Sequence, residues 1–169
     1  TQYPFILISP QLKSSYGTWP ANYVMEVINY VKTKLRIDES RIYLTGLSLG
    51  GFGVWTTAGA YPGEFAAIVP ICSGGSSLSK ACGVAAEDLP VWAFHGDKDG
   101  TVSYTVSTKM VNAINACTPK PSPLAKVTLY PGLGHVIWDK VYKESNANDW
   151  MLTFKNGSAS TTPTPPPPT

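Results

Sequence analysis

Between Arg41 and Gly51 the chain reads RIYLTGLSLGG, and no other stretch constrains the fold as strongly. RIYLTG has the apolar pattern of a short strand. LGGFGVWTTAGAY, directly behind it, reads as a helix despite its glycines and is broken at Pro62. Between them stands Ser48, with Gly46 and Gly50 two residues to either side. A serine hydroxyl is a poor nucleophile at neutral pH. It needs a base beside it, and it must stand exposed at the end of a sheet. A tight strand-to-helix turn presents it there, at the cost of a strained backbone. Side chains two residues before and after would collide, and glycine removes the collision. The helix that follows aims its first amides at the oxyanion formed in the reaction. A G-x-S-x-G run in a glycine-rich helix start can also make its serine a mere cap. The strand before Ser48 and the helix after it are what favour the nucleophile.

The remaining pattern alternates in the same way. FILI (5–8) reads as a buried strand, and a loop, PQLKSSYGTWP, follows it. In NYVMEVINYVKTKL, residues Val24, Val27, Ile28, Val31 and Leu35 recur at helical spacing, with Asn22 as the expected N-cap. FAAIVPIC, PVWAFHG and AKVTLYPG read as strands. SYTVSTKMVNAINA reads as a helix with Val106, Met110, Val111 and Ile114 on one side, and WDKVYKESNANDWMLTF as a closing helix interrupted near Asn146. Strands separated by helices predict βαβ units. They lead to an α/β fold, a three-layer αβα sandwich with a mostly parallel sheet.

A nucleophilic serine calls for an acid and then a histidine further along, each just past a strand. The chain has two histidines, His95 and His135, and both follow strands. Order selects His135 as the base, because HGDKDG supplies Asp97 and Asp99 before it. His95 is then expected to be structural, bonding the loop that carries the acid. Position alone leaves Asp97 and Asp99 open.

GLSLGG, PVWAFHGDKDGTV and YPGLGHVIW, supported by FILISPQ and RIYLTGLSLGGFGVW, resemble the α/β-hydrolase superfamily. The resemblance is to its secreted carboxylesterase branch: phospholipase/carboxylesterase-like, polyhydroxybutyrate-depolymerase-like and feruloyl or acetylxylan esterases. It spans Phe5 to Phe154. Mapped on the H-G-x-x-D pattern of that family, the acid is Asp99, and Asp97 is expected to be solvated or to cap the turn. The implied mechanism is acyl transfer. His135 takes the Ser48 proton, Asp99 holds the imidazole, and the backbone N–H of Leu49 is one oxyanion donor. In this family the second donor follows an earlier strand, for which the chain shows no matching segment. The expected fold is therefore an α/β hydrolase lacking its N-terminal strands, with 1–155 as a partial catalytic domain that is weakly active or inactive by itself.

Trp19 and Tyr16 in the first loop, Gln11 beside them, and Trp138 three residues past His135 are candidates for lining a substrate pocket. Aromatic rings suit phenolic acids and sugars alike; the plain alternative is packing. Trp55, Trp92 and Trp150 are expected in the core. Residues 156–169, NGSASTTPTPPPPT, have five prolines in the last seven and read as an extended linker to a further module. Such linkers suit a secreted enzyme. In an exported chain the cysteines Cys72, Cys82 and Cys117 give one disulfide and one free thiol. Cys72 ends an apolar run, and Cys82 with Cys117, in loop-like stretches, is the expected pair. A net charge of +2 without a like-charged run points away from nucleic acid and anionic membranes. Neither a metal nor an organic cofactor is called for. The expected function is a serine carboxylesterase acting on feruloyl, acetyl or similar esters of plant cell walls. A serine peptidase with the same triad, and a non-catalytic carbohydrate-binding or assembly module, are the alternatives.

Overall fold

The structure, a computed structural model, describes residues 4–75 and 77–157. Most of the expected linker, from residue 158 onward, lies outside the described residues. The elements run α1 (Ala21–Lys34), β1 (Tyr43–Leu47), α2 (Leu49–Ala60), β2 (Ala67–Ile71), α3 (Ala81–Ala86), β3 (Trp92–Gly96), α4 (Thr105–Asn115), β4 (Lys126–Tyr130), α5 (Trp138–Glu144) and α6 (Ala147–Leu152). The four strands form one parallel sheet in the order β1-β2-β3-β4. No helix among the described residues is long and apolar enough to cross a membrane.

Every residue of β2 is buried, as befits a strand covered on both faces. Its alternating side chains feed two cores. Ile68 joins Val54, Trp55, Val84, Met110 and Ile114 beneath α2, α3 and α4. Ala67, Val69 and Ile71 join Phe94, Ile137, Val141 and Met151 beneath α5 and α6. The result is a three-layer αβα sandwich with a parallel sheet. Burying a side chain such as Ile68 or Phe94 contributes roughly 1.5–3 kcal/mol.

Pro70 leaves a mark on the sheet. Ile68 N–H donates to Pro90 O and Cys72 N–H to Phe94 O, each at 2.9 Å. The rung between them belongs to Pro70, which has no N–H, and the β2–β3 ladder is interrupted there.

Three expectations need correction. Phe5–Ile8 form no strand. Phe5 packs edge-on against Tyr43 at 5.8 Å, but Ile6, Leu7 and Ile8 are 57%, 79% and 43% exposed. Among the described residues β1 is paired only with β2, so its other edge offers this segment no adjacent strand to join through. Asn22 is not the N-cap of α1. The helix begins at Ala21 with Pro20 at the cap position and no side-chain cap bond; Pro20, at φ −70°, is already restricted and offers its carbonyl to Val24 N–H. Cys82 lies in helix α3, not in a loop. It is joined by a disulfide to Cys117, which follows α4, so the bond ties these two helices together. Cys72 is the free, buried cysteine.

Candidate active site

The turn at Ser48 is built by sterics. Ser48 sits at φ 49° between β1 and α2, a backbone conformation that L residues rarely adopt. A Cβ at Gly46 would lie 2.6 Å from the carbonyl carbon of Gly50, so only glycine fits. Gly50 itself has open space at that point, and its glycine is not demanded by a clash. The expected need for glycine therefore holds before the serine and not two residues after it. Ser48 N–H donates to Ile71 O at 2.9 Å and locks the turn onto β2.

Ser48, Asp99 and His135 meet at the C-terminal ends of the strands. Ser48 Oγ lies 2.9 Å from His135 Nε2, and His135 Nδ1 lies 2.7 Å from Asp99 Oδ2. The Asp99 side chain is fully buried and that of His135 is 16% exposed, so the imidazole is the part of the pair open to solvent. The other carboxylate oxygen, Asp99 Oδ1, accepts N–H bonds from Thr101 and Val102, each at 2.8 Å. Burial alone would push the Asp99 carboxyl up. The N–H of Val102, the His135 ring and the N–H of Thr101 outweigh it and hold the group below the usual carboxylate range. Asp99 is thus an acceptor-only anion facing the ring that faces Ser48. This arrangement can draw a proton from the hydroxyl and stabilise the imidazolium that forms.

Asp97 is neither free nor part of this chain. Its Oδ1 accepts the N–H of Gly132 at 2.7 Å, and its own N–H donates to Tyr130 O at 3.2 Å. It pins the turn after β4 that delivers His135. Gly96 assists, because any Cβ there would run into the carbonyl oxygens of Leu133 and Gly134. His95 bonds the acid: its Nε2 is 3.0 Å from Asp99 Oδ2.

The sequence places Cys72 in the core but does not place it beside His135. Its thiol donates to the His135 carbonyl oxygen at 3.0 Å. Burial pushes this thiol up to about 11, with the Asp99 charge adding to the effect. Cys72, Asp99 and His135 are a group whose donor atoms lie within 4.8 Å of one another. The thiol is protonated at neutral pH, and both Asp99 oxygens are already engaged, so the group is not arranged to hold a metal.

Of the pocket candidates, Trp138 opens α5 and meets the His135 ring edge-on at 5.8 Å. Trp19 packs against Gly53 in α2 and stands 6.1 Å from Tyr23, which is in turn 6.2 Å from Tyr16. Gln11 is exposed and bonds its neighbour's carbonyl, while Tyr16 is 44% exposed. Tyr16, Trp19 and Tyr23 form an aromatic row at the start of α1, and of the four candidates Trp138 is the one whose ring meets that of His135. Trp55 is buried against α2's neighbours, and Trp92 and Trp150 pack against the α5/α6 side of the sheet.

Known proteins share this architecture. Residues 17–146 match the phospholipase/carboxylesterase family. A bifunctional acetylxylan esterase/xylanase from Neocallimastix patriciarum is 26% identical over 106 residues, which is 59% of this chain and 15% of that protein. Poly(3-hydroxyalkanoate) depolymerase C from Paucimonas lemoignei is 38% identical over 58 residues, 34% of this chain and 14% of that one. The crystal structure of a thermostable esterase superposes with a TM-score of 0.71 at 32% identity, over 80% of this chain and 36% of that chain. The chain therefore spans well under half the length of these relatives. It belongs to the phospholipase/carboxylesterase family.

Proposed function

We propose that this member of the phospholipase/carboxylesterase family hydrolyses carboxylic esters with Ser48 as nucleophile, His135 as general base and acid, and Asp99 as the group that orients the base. The observation that carries the proposal is the continuous Ser48–His135–Asp99 chain at 2.9 and 2.7 Å, with Ser48 held at φ 49°. His135 Nε2 takes the Ser48 proton as Oγ attacks the ester carbonyl. The Leu49 N–H, first in α2, faces the developing oxyanion. The tetrahedral intermediate collapses as His135 returns the proton to the leaving alcohol. Water, activated by the same imidazole, then releases the acid and regenerates Ser48.

The substrate class we propose is an acetyl or feruloyl ester of plant cell-wall polysaccharide. It is supported by the similarity to an acetylxylan esterase/xylanase and by Trp138 standing against the base, where an aromatic or sugar ring would meet it. Extracellular action is part of the proposal. The Cys82–Cys117 disulfide suits an oxidising compartment, and the Pro/Thr-rich run at 156–169 suits a tether to a further module.

Incubation with a fluorophosphonate probe followed by peptide mass mapping tests the nucleophile. The expected adduct is on Ser48 and is lost in Ser48→Ala. Release of acetate or ferulate from xylan tests the substrate class, and matched ester and amide substrates separate an esterase from a peptidase. No adduct on Ser48, with binding to xylan intact, would turn the reading toward a non-catalytic module.

A further inference from the structure

Behind Asp99 the structure holds a second line of polar groups that the acyl-transfer chemistry does not use. His95 is completely buried at the end of β3. Its Nε2 lies 3.0 Å from Asp99 Oδ2 and 2.9 Å from Val102 O. Its Nδ1 lies 2.7 Å from Ser107 Oγ in α4, and Ser107 Oγ lies 2.5 Å from Ser73 O.

The proton inventory of this line has one consistent solution. Val102 O and Ser73 O are carbonyls and only accept, and the ionised Asp99 only accepts. Nε2 stands between a carboxylate and a carbonyl, so it carries a hydrogen. Ser107 has one hydroxyl hydrogen. If it pointed at His95, two oxygens would face each other at 2.5 Å with nothing between them, so it points at Ser73. Nδ1 then faces a Ser107 lone pair and carries a hydrogen as well.

We propose that His95 bears both ring protons and acts as a positioning residue, a buried imidazolium that clamps Asp99 from the side opposite His135. The carboxylate is thus held by four N–H groups: Thr101, Val102, His95 and His135. A buried pair of opposite charges with its remaining sites hydrogen-bonded is the form in which such a charge is tolerated. The other titratable groups facing the pair are His135, beyond Asp99 after β4, and the protonated Cys72 thiol after β2. The described contacts from α4 add only the Ser107 hydroxyl. The positive charge on His95 offsets part of the Asp99 field at His135. That offset acts on the ring that accepts the Ser48 proton.

The charge assignment stands without the esterase reading; its kinetic consequence rests on that reading. The chain has two histidines, so ¹⁵N-histidine labelling with His135→Gln leaves one ring in the spectrum. The expected result at pH 7 is a ring with both nitrogens protonated. A bare nitrogen would overturn the proposal. Ser107→Ala should cost the ring its Nδ1 proton, and an unaltered spectrum there would equally count against it. In kinetics, His95→Gln keeps an N–H toward Asp99 but removes the charge. The acid limb of kcat/KM is expected to move up by about one pH unit, with kcat reduced and KM held. A limb that stays in place would reduce His95 to a spacer. If the wild-type chain shows neither turnover nor a Ser48 adduct, the esterase reading fails, and the ¹⁵N spectrum still decides the state of His95.

Discussion

Ser48 and Cys72 leave neighbouring parallel strands with the same positive φ, 49° each. Leu47 and Ile71, the residues before them, are partners in the β1–β2 register. Two strained turns therefore stand side by side at the C-terminal end of the sheet. One presents a hydroxyl to the His135 ring, and the other presents a thiol to the His135 backbone. Such strain costs about 1–3 kcal/mol per residue and persists only where the surroundings over-determine it. Here the N–H groups of Ser48 and Cys72 are tied to Ile71 O and Phe94 O.

Ser48→Gly should separate strain from chemistry. Glycine adopts this positive φ without penalty, so thermal or urea unfolding should show a gain of about 1 kcal/mol while fluorophosphonate labelling disappears. A loss of stability would mean that the serine is not strained there.

The two glycines flanking Ser48 are unequal. Gly46→Ala places a methyl 2.6 Å from the Gly50 backbone and should cost roughly 2–4 kcal/mol together with Ser48 labelling. Gly50→Ala meets nothing within 4 Å and should stay within about 0.5 kcal/mol of wild type in a urea melt. Equal losses in both variants would contradict the turn geometry.

The depressed Asp99 carboxyl makes a signed prediction. A group whose folded value lies below its unfolded one stabilises the fold fully above the unfolded value, near 3.9, and loses that contribution as pH falls through the folded value. Asp99→Asn should destabilise by roughly 2–4 kcal/mol at pH 7, and the gap to wild type should shrink below about pH 4. Urea titrations from pH 3 to 7 check it; a constant gap would mean that Asp99 is not favourably ionised.

Cys72 should be silent toward thiol reagents. Its thiol is buried and raised to about 11, so the native protein should give no reaction with a disulfide reagent at pH 7. One thiol should appear in guanidinium and two more after reduction, because Cys82 and Cys117 are bonded. A fast native reaction would place Cys72 at the surface.

The free edge of β1 bears on the rate. Tyr43–Leu47 are only partly buried and, among the described residues, pair with β2 alone. A longer form of the protein that lays a strand along this edge and supplies a second oxyanion donor should turn over faster, by on the order of 10²–10³. Steady-state assays of both forms decide it, and equal kcat values would show that the Leu49 N–H suffices.

Local patterns determined a good deal of this protein. The turn at Ser48 was legible because its steric demand is met within a few residues. The order serine, acid, histidine was legible because each follows a strand with a recognisable apolar run. The helices α1 and α4 follow from periodicity, α2 reads as a helix despite its glycines, and the break near Asn146 separates α5 from α6. What the tertiary structure alone decided involves groups far apart in the chain. FILI has the composition of a strand, yet it pairs with no strand among the described residues: Phe5 packs against Tyr43 while Ile6, Leu7 and Ile8 stay exposed. Asp97 closes onto Gly132, and Cys72 onto His135, across sequence separations that no spacing rule encodes. The protons of His95 depend on Ser107 and Ser73, from two other elements, and on the distance between them. A hydrogen bond is satisfied by whatever atom the packing brings within about 3 Å, so the sequence names the donors and acceptors and the fold alone pairs them.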